Sequence, residues 1–546
     1  MKFSKKELTD FYDGRTFQDI RLWSNNNEEI HTIDLALYVD AFCPFDKSKT
    51  TMTLIMFSIL NLPPEERYKQ ENIIIISVPT GRQKPYDIFS YLRPVLVEIL
   101  AMEKHGLNVT SIDGKFYSYK VRLCLAIGDI PGVAELCKHS GHMSYKGCRI
   151  CSIDGKKIEG RGGIYFSNID EAGNYVDFPI LLKSDYKSGN KNVGITSKSP
   201  LTLVNSFHGF TFYGLEELHL WGSNVGKQIW AMVDNKYQKF GTNNPLFLRA
   251  KYKSLLGKYM EISKHRNPTD ATPGQFKDIF HSSGNQRSVD WIQFVIFIVP
   301  TLLIECLFVQ YTDLSKKDVY DAFNLQEPFQ SAVNALISLS EACRISEQFK
   351  ITKYDMLNIK TYIKKWNKFL SKFMELNSFT INQHYLSHID LILKNLGPLR
   401  IISGRPLERM IGIVKKKVRS TSKPSENVAN VIISHHEFCC ERWKNPIFKQ
   451  LKSEKLSIGK IACSLELDKL FCLMLSQYFK CTINDQLVAL VYLEYLLKSN
   501  QILRFTRGHP NPLVIVLIDD GYSTSSSVMS RDKRKFQLCE VQLMLN

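Results

Sequence analysis

The chain has 546 residues, 44% hydrophobic and 23% charged, a globular composition that excludes a disordered or collagen-like protein. Its 71 Lys and Arg outnumber 54 Asp and Glu, and the formal charge of +17 points to an acidic partner such as nucleic acid. Thirteen cysteines behind MKFSKKELTDFYDGR, which lacks the pattern of a secretory leader, predict thiols or metal ligands in a reducing compartment rather than disulfides. The most membrane-like run, residues 291–309, carries Gln293, Pro300 and Glu305 and reads as a buried helix of a large domain, so no membrane is expected.

Residues 1–30 read as a polar lead-in. From His31, HTIDLALYVDAF sets Ile33, Leu35, Leu37 and Val39 at alternate positions, the period of a strand, and reaches Asp40 near its end. Two further apolar runs, 52–60 and 72–79, follow with connections too short for crossover helices, so the three strands should be antiparallel. A helix is predicted from Asp87 to His105, then a hairpin around Asp113-Gly114, then a strand from Arg122 to Ile127. That strand ends on Gly128-Asp129, before a turn at Pro131-Gly132. Three strands, a helix and a strand is the order of an RNase H-like sheet.

The remainder divides by composition. Residues 31–207 read as the first part of this α/β core, with a Cys/His knuckle at 137–151 and loops with short strands after 152. Residues 208–400 read as a large all-α insertion, and 401–480 as a helix returning to the core with helices after it. Residues 481–546 read as a small β-rich unit, with LVIVLIDD (513–520) as a strand.

Two groups of residues carry chemistry. Cys137, His139, His142, Cys148 and Cys151 put five S and N donors within fifteen residues, and Cys148-x-x-Cys151 is a common half of a zinc site. A lone Cys is more often a small buried hydrophobe, but five donors together favour a structural zinc knuckle. Cys148 and Cys151 are its firmest ligands, Cys137 and His142 the others, and His139 the substitute. His384 and His388, four apart in HYLSH, also have metal-ligand spacing; without a Glu between them they read as structural. The second group is carboxylates. Asp40 and Asp129 end two strands of one sheet, where a ligand can reach them. Glu408 falls in the first turn of a helix opened by Pro406 in SGRPLERMIGIVKKKVRS, with Lys415 and Arg419 on the same face. Alone, this last segment is an ordinary basic helix.

Six segments in order resemble the transposase domain of CACTA-type (En/Spm-like) elements of fungal genomes: YVDAFCPF, GDIPGVAELCKHSGHMSYKGCRIC, FHGFTFYGLEELHLWGSNVGK, DWIQFVIFIVP, HYLSHI and GPLRIISGRPLERMIGIVKKKVR. The resemblance runs from about residue 30 to 440. It implies a DDE transposase in which Asp40, Asp129 and Glu408 hold two Mg²⁺ ions for phosphodiester cleavage and strand transfer, inside an RNase H-like core interrupted by helices. The family's Cys-or-Asp-x-x-His tetrad matches Glu216-Glu217-Leu218-His219, with Glu in place of Asp. His219 would orient a catalytic carboxylate or meet a DNA end, against a plain helix histidine. Arg405 and Arg409 would grip phosphates, and Lys415, Lys416, Lys417 and Arg419 would line the path of the duplex.

Double-stranded DNA, transposon ends and a self-associated synaptic oligomer are the implied partners, and the nucleus the implied location. Such transposases usually carry a DNA-binding region ahead of the core; here about thirty residues precede the first strand, so a truncated gene model or end recognition elsewhere is expected. The competing reading is a domesticated or inactive nuclear protein that binds DNA or partners through the same fold. A zinc-stabilised interaction protein, the third reading, requires the three acids to lie far apart.

Overall fold

The apolar runs of the N-terminal half become one mixed sheet. Its main strands are β1 (Thr32–Phe42), β2 (Thr51–Ile59), β3 (Ile73–Ser77), β4 (Leu107–Thr110) and β5 (Phe116–Gly128), in the order β3-β2-β1-β5-β4. β1 and β5 pair in parallel and the other neighbours antiparallel, which makes the mixed five-stranded sheet of an RNase H-like core. The computed structural model describes residues 7–24, 31–46, 49–110, 114, 116–238, 244–263, 276–315 and 319–444, with four short strands beyond residue 500. Two units result, residues 1–429 and 430–546.

β1 and β5 lie in the middle of the sheet and are buried on both faces, which is why LALYV and LCLAI are continuous apolar runs. On one face, Leu35, Leu37 and Val39 join Phe89, Leu92, Leu96 and Ile99 of the helix Phe89–His105 in a single core cluster. At the N-terminal ends of the strands, Asp34 and Arg122 face each other in register and form a buried bidentate ion pair, at 2.7 and 3.0 Å. The register then shifts: Leu35 pairs with Leu123, but Ala36 pairs with Leu125. This bulge at Cys124 carries the pairing to Val39 opposite Gly128, so that Asp40 and Asp129 leave adjacent strands side by side.

Past β5 the predicted turn at Pro131-Gly132 is instead a short helix, Ile130–Leu136. Pro131 occupies its first turn, where a missing N–H does no harm, and Asp129 caps it. The lead-in is also more than polar chain. Glu7–Leu8 pairs with Ile351–Thr352, a helix spans Arg15–Ser24, and Asp10 forms an ion pair at 2.9 Å with the fully buried Arg67.

The region after the core is all-α, as expected. Two long helices, α1 (Val319–Ser346) and α2 (Lys353–Phe373), pack side by side, and α3 (Ile381–Leu386), α4 (Ile389–Leu396) and α5 (Arg405–Lys417) lead back to the sheet. α5 lies across β1 and β2 with Leu407, Met410, Ile411 and Val414 buried. Two segments, Leu218–Gly226 and Phe294–Leu303, are π-helices. Gly222 lets the first of them touch the next helix: a Cβ there would come within 2.2 Å of the Ser288 carbonyl oxygen. The helical stretch Ser288–Leu314 is long and apolar enough to cross a membrane, but half of its most apolar portion is buried in the protein. In the second unit, Arg504–Phe505, Ile515–Leu517, Val528–Arg531 and Arg534–Cys539 form an antiparallel sheet. The helices expected over 445–480 lie outside the described residues.

Candidate functional site

Asp40 sits where β1 leaves the sheet, and it is held in place by its Oδ1 accepting from the Ala41 amide at 2.6 Å. Burial first, and then the charge of Asp129, push its carboxyl up to about 6. Glu408 arrives from the first turn of α5, half-exposed, on the side of that helix facing the strand ends. His219 comes from a third direction. Tyr213 forms a parallel bridge with Ala126 of β5, and the chain then turns over the sheet edge so that the π-helix starts beside the two strand ends. Ligand atoms of Asp40, His219 and Glu408 all lie within 4.8 Å of one another.

The expected trio of Asp40, Asp129 and Glu408 therefore does not form that close cluster. Asp129 stands next to it, near enough for its charge to act on Asp40, but its Oδ1 is turned to the Gly132 amide at 2.6 Å as the cap of the following helix. Its other carboxylate oxygen is not used in that cap.

His219 is fixed from behind. Its Nδ1 donates to Glu216 Oε2 at 2.7 Å, and its Nε2 meets Glu408 Oε1 at 3.2 Å. Glu216 also accepts from the amides of Leu218 and His219, both at 2.7 Å, and from Gly404 at 3.0 Å. These donors outweigh the burial of Glu216 and hold its carboxyl below the usual range. Burial works against a charge on His219, but its hydrogen bonds to Glu216 and Glu408 lift the imidazole to about 11. Glu for Asp in the tetrad thus gives a longer arm that reaches the start of α5 as well as the ring. Gly404 has no room for a side chain, since a Cβ would come within 2.8 Å of the Glu216 carboxyl.

The neighbouring Glu217 was not singled out by sequence. It is buried, accepts from Ser403 Oγ at 2.7 Å and pairs with Arg405 Nε at 3.0 Å. Arg405 also donates to Glu347 at the end of α1, at 2.8 Å, and Arg400 reaches the same carboxylate at 3.3 Å. Arg405 is therefore engaged with carboxylates and is not positioned as a phosphate grip. Arg409, by contrast, is exposed and donates only to the Tyr68 carbonyl, at 3.2 Å, among the hydrogen bonds of the described residues. Lys415 and Lys416 are exposed in the last turn of α5, Lys417 is half-buried, and Lys415 lies 3.4 Å from Asp46. Arg419 is exposed but lies past the helix end at Val418, so it does not share the helix face with Lys415. A cavity of about 1260 Å³ opens beside Glu408, and Lys69, Lys227, Arg287 and Arg409 are among its walls.

The second centre overturns the local knuckle. Cys148 and Cys151 are buried together with His384 and His388, and one ligand atom of each lies within 4.8 Å of the others. Cys148 Sγ is 3.5 Å from His388 Nε2, Cys151 Sγ is 3.2 Å from His384 Nε2, and the two Nε2 atoms are 3.1 Å apart. A tetrahedral zinc ion with Zn–S of about 2.3 Å and Zn–N of about 2.0–2.1 Å sets its ligands about 3.3–3.8 Å apart, so the donor set is close to what zinc needs. His384 Nδ1 faces Asn168 Oδ1 at 2.8 Å, which fixes the tautomer that turns Nε2 to the thiols. Cys137 instead lies in the hydrophobic core, with its thiol directed to the Ala134 carbonyl at 3.6 Å. His139 is buried apart from the cluster, accepting at Nδ1 from the Gly141 amide at 3.0 Å, and His142 stands outside it. His384 and His388, read from sequence as structural, are the ring donors of this cluster.

A model of one family, described as transposase family tnp2, matches residues 6–167. No curated protein matches the chain. The matched stretch contains the whole five-stranded sheet, Asp40, Asp129 and the Cys148–Cys151 pair, and this N-terminal domain belongs to the tnp2 family of CACTA-type transposases.

Proposed function

We propose that the chain is a transposase that cleaves DNA phosphodiester bonds and transfers the freed strand, with Asp40, Asp129 and Glu408 holding divalent cations. The observation that carries this reading is the meeting of Asp40 and Glu408, brought from a strand end and a distant helix to one point beside Asp129. Two half-buried carboxylates and a third alongside are a hard oxygen donor set, which suits Mg²⁺. Divalent ions held there supply a Lewis acid for the scissile phosphate and for the attacking water or 3′-hydroxyl. The acids act as ligands rather than proton donors. Arg409, Lys415 and Lys416 lie along α5 from Glu408 with Arg419 just past its end, all exposed, and a duplex running along that helix would pass the acids. Cys148, Cys151, His384 and His388 would hold a structural zinc ion, since four protein ligands leave no open position. Action on transposon ends places the protein in the nucleus and in a self-associated complex with paired ends.

The full chain should nick and join duplex oligonucleotides bearing element ends when Mg²⁺ or Mn²⁺ is added, and Asp40→Ala should abolish both steps while still retaining DNA. Metal-independent binding with no cleavage by the wild-type chain would move the protein to the alternative, a transposase-derived DNA-binding protein.

A further inference from the structure

We infer that His219 is itself a ligand of the cation between Asp40 and Glu408, so that one position of the active centre is a mixed nitrogen and oxygen site. The inference rests on the metal-dependent reading above and specifies which ion that centre takes. Its basis is geometric. The Nε2 of His219 lies 3.2 Å from Glu408 Oε1, close to the ~3.0 Å that separates neighbouring ligands of an octahedral ion at about 2.1 Å. Asp40 completes a three-cornered face, with its donor atom within 4.8 Å of the other two.

The support behind the ring is that of a metal-bound histidine. Nδ1 donates to a carboxylate, Glu216, at 2.7 Å, which leaves Nε2 facing Glu408. Glu216 is buried and receives three backbone amides besides the ring, from Leu218, His219 and Gly404. Those amides belong to the π-helix start and to the residue before α5. One carboxylate thus sets the ring and the helix that carries Glu408 in a single arrangement. A histidine that served only to fill space on a helix would need none of this. Asp40 and Glu408 set two carboxylates within 4.8 Å of the ring, and the three side chains are donors of the kind that hold a divalent cation.

The chemical consequence is selectivity. Mg²⁺ rarely accepts imidazole, whereas Mn²⁺ and the later divalent ions do. The site should therefore prefer Mn²⁺ to Mg²⁺.

The test uses full-length protein with its Cys₂His₂ site loaded with zinc, titrated with Mn²⁺ and followed by the electron paramagnetic resonance signal of the free ion. Pulsed measurements on the bound Mn²⁺ then read nitrogen hyperfine coupling. The expected result is a coupling from one imidazole nitrogen that disappears in His219→Gln, with Mn²⁺ bound about tenfold more weakly. Glu216→Gln should keep the coupling and weaken binding by a similar factor. Zinc content and the thermal melt of each variant check that it is folded. Mn²⁺ bound in an Asp40- and Glu408-dependent manner but without nitrogen coupling would overturn the inference and leave the carboxylate reading standing. Absence of any Mn²⁺ or Mg²⁺ binding that depends on Asp40 and Glu408 would overturn the carboxylate reading as well.

Discussion

The two centres of this molecule are assembled in the same way and finished differently. Each joins donors from the sheet region to donors carried on helices far along the chain: Asp40 with His219 and Glu408, and Cys148 and Cys151 with His384 and His388. The Cys/His cluster is buried on every side, with two thiols and two rings for four tetrahedral corners. The acid cluster is open, with Glu408 half-exposed and a basic cavity at its edge. Closure suits a fastener and openness suits a reaction centre, because a substrate needs a free coordination position. Between them runs Arg149, flanked by the two cysteines, buried, and donating to the Gly214 carbonyl at 2.7 Å, two residues ahead of Glu216. The fastener thus braces the chain that delivers His219.

The comparison breaks most visibly at the closed centre. Cys148→Ser or Cys151→Ser should release zinc and lower stability by at least about 4 kcal/mol, seen as a lost or early thermal transition, because the buried rings are left without a partner. Arg405→Ala comes next. It strands the buried Glu217 and leaves Glu347 with Arg400 alone, and about 3 kcal/mol should be lost, with Arg405→Lys recovering part of it. The open centre should respond in the opposite sense. Asp40→Asn should remove cleavage yet stabilise the metal-free protein by about 1–2 kcal/mol, since it takes a poorly solvated charge away from Asp129. The sign with pH follows from the raised carboxyl. Its contribution to the wild type is intact below its ordinary range and is lost as pH rises to about 6, so the variant's advantage should be absent near pH 4 and full above 6. Denaturant melts across that interval measure it. Smallest of all for the fold, Lys415→Ala, Lys416→Ala and Arg419→Ala together should leave the melt unchanged. They should flatten the log–log salt dependence of duplex binding by roughly 2–3 units, whatever the sequence. An unchanged slope would remove the duplex from that helix.

The sheet was legible because strand periodicity is local: HTIDLALYVDAF and RLCLAIGD each carry their own alternation or apolar run and end on the acid. Glu408 was legible through Pro406, which marks a helix start wherever that helix docks. The knuckle failed for the opposite reason. Spacing ranks donors by nearness along the chain, so Cys137 and His142 looked like the natural partners of Cys148 and Cys151. Burial decides instead, and Cys137 is spent in the core while two rings arrive from a helix pair 233 residues or more away. The signal that could have found them was present as two half-motifs, Cys-x-x-Cys and His-x-x-x-His, each incomplete. Glu217 and Glu347 gave no signal, since a buried carboxylate paired with arginine looks like any surface Glu in sequence. The role of Asp129 as a helix cap was hidden by the reading of Pro131-Gly132 as a turn.

The separation of the two halves of each site also has a consequence during synthesis. At about 5–20 residues per second, the 233 residues between Cys151 and His384 take the ribosome roughly 10–50 s. For that interval the nascent sheet carries two thiols without their rings and two aspartates without their glutamate. A prematurely terminated chain would therefore hold neither cluster complete, and the acid cluster would come into being only when most of the polypeptide had been made.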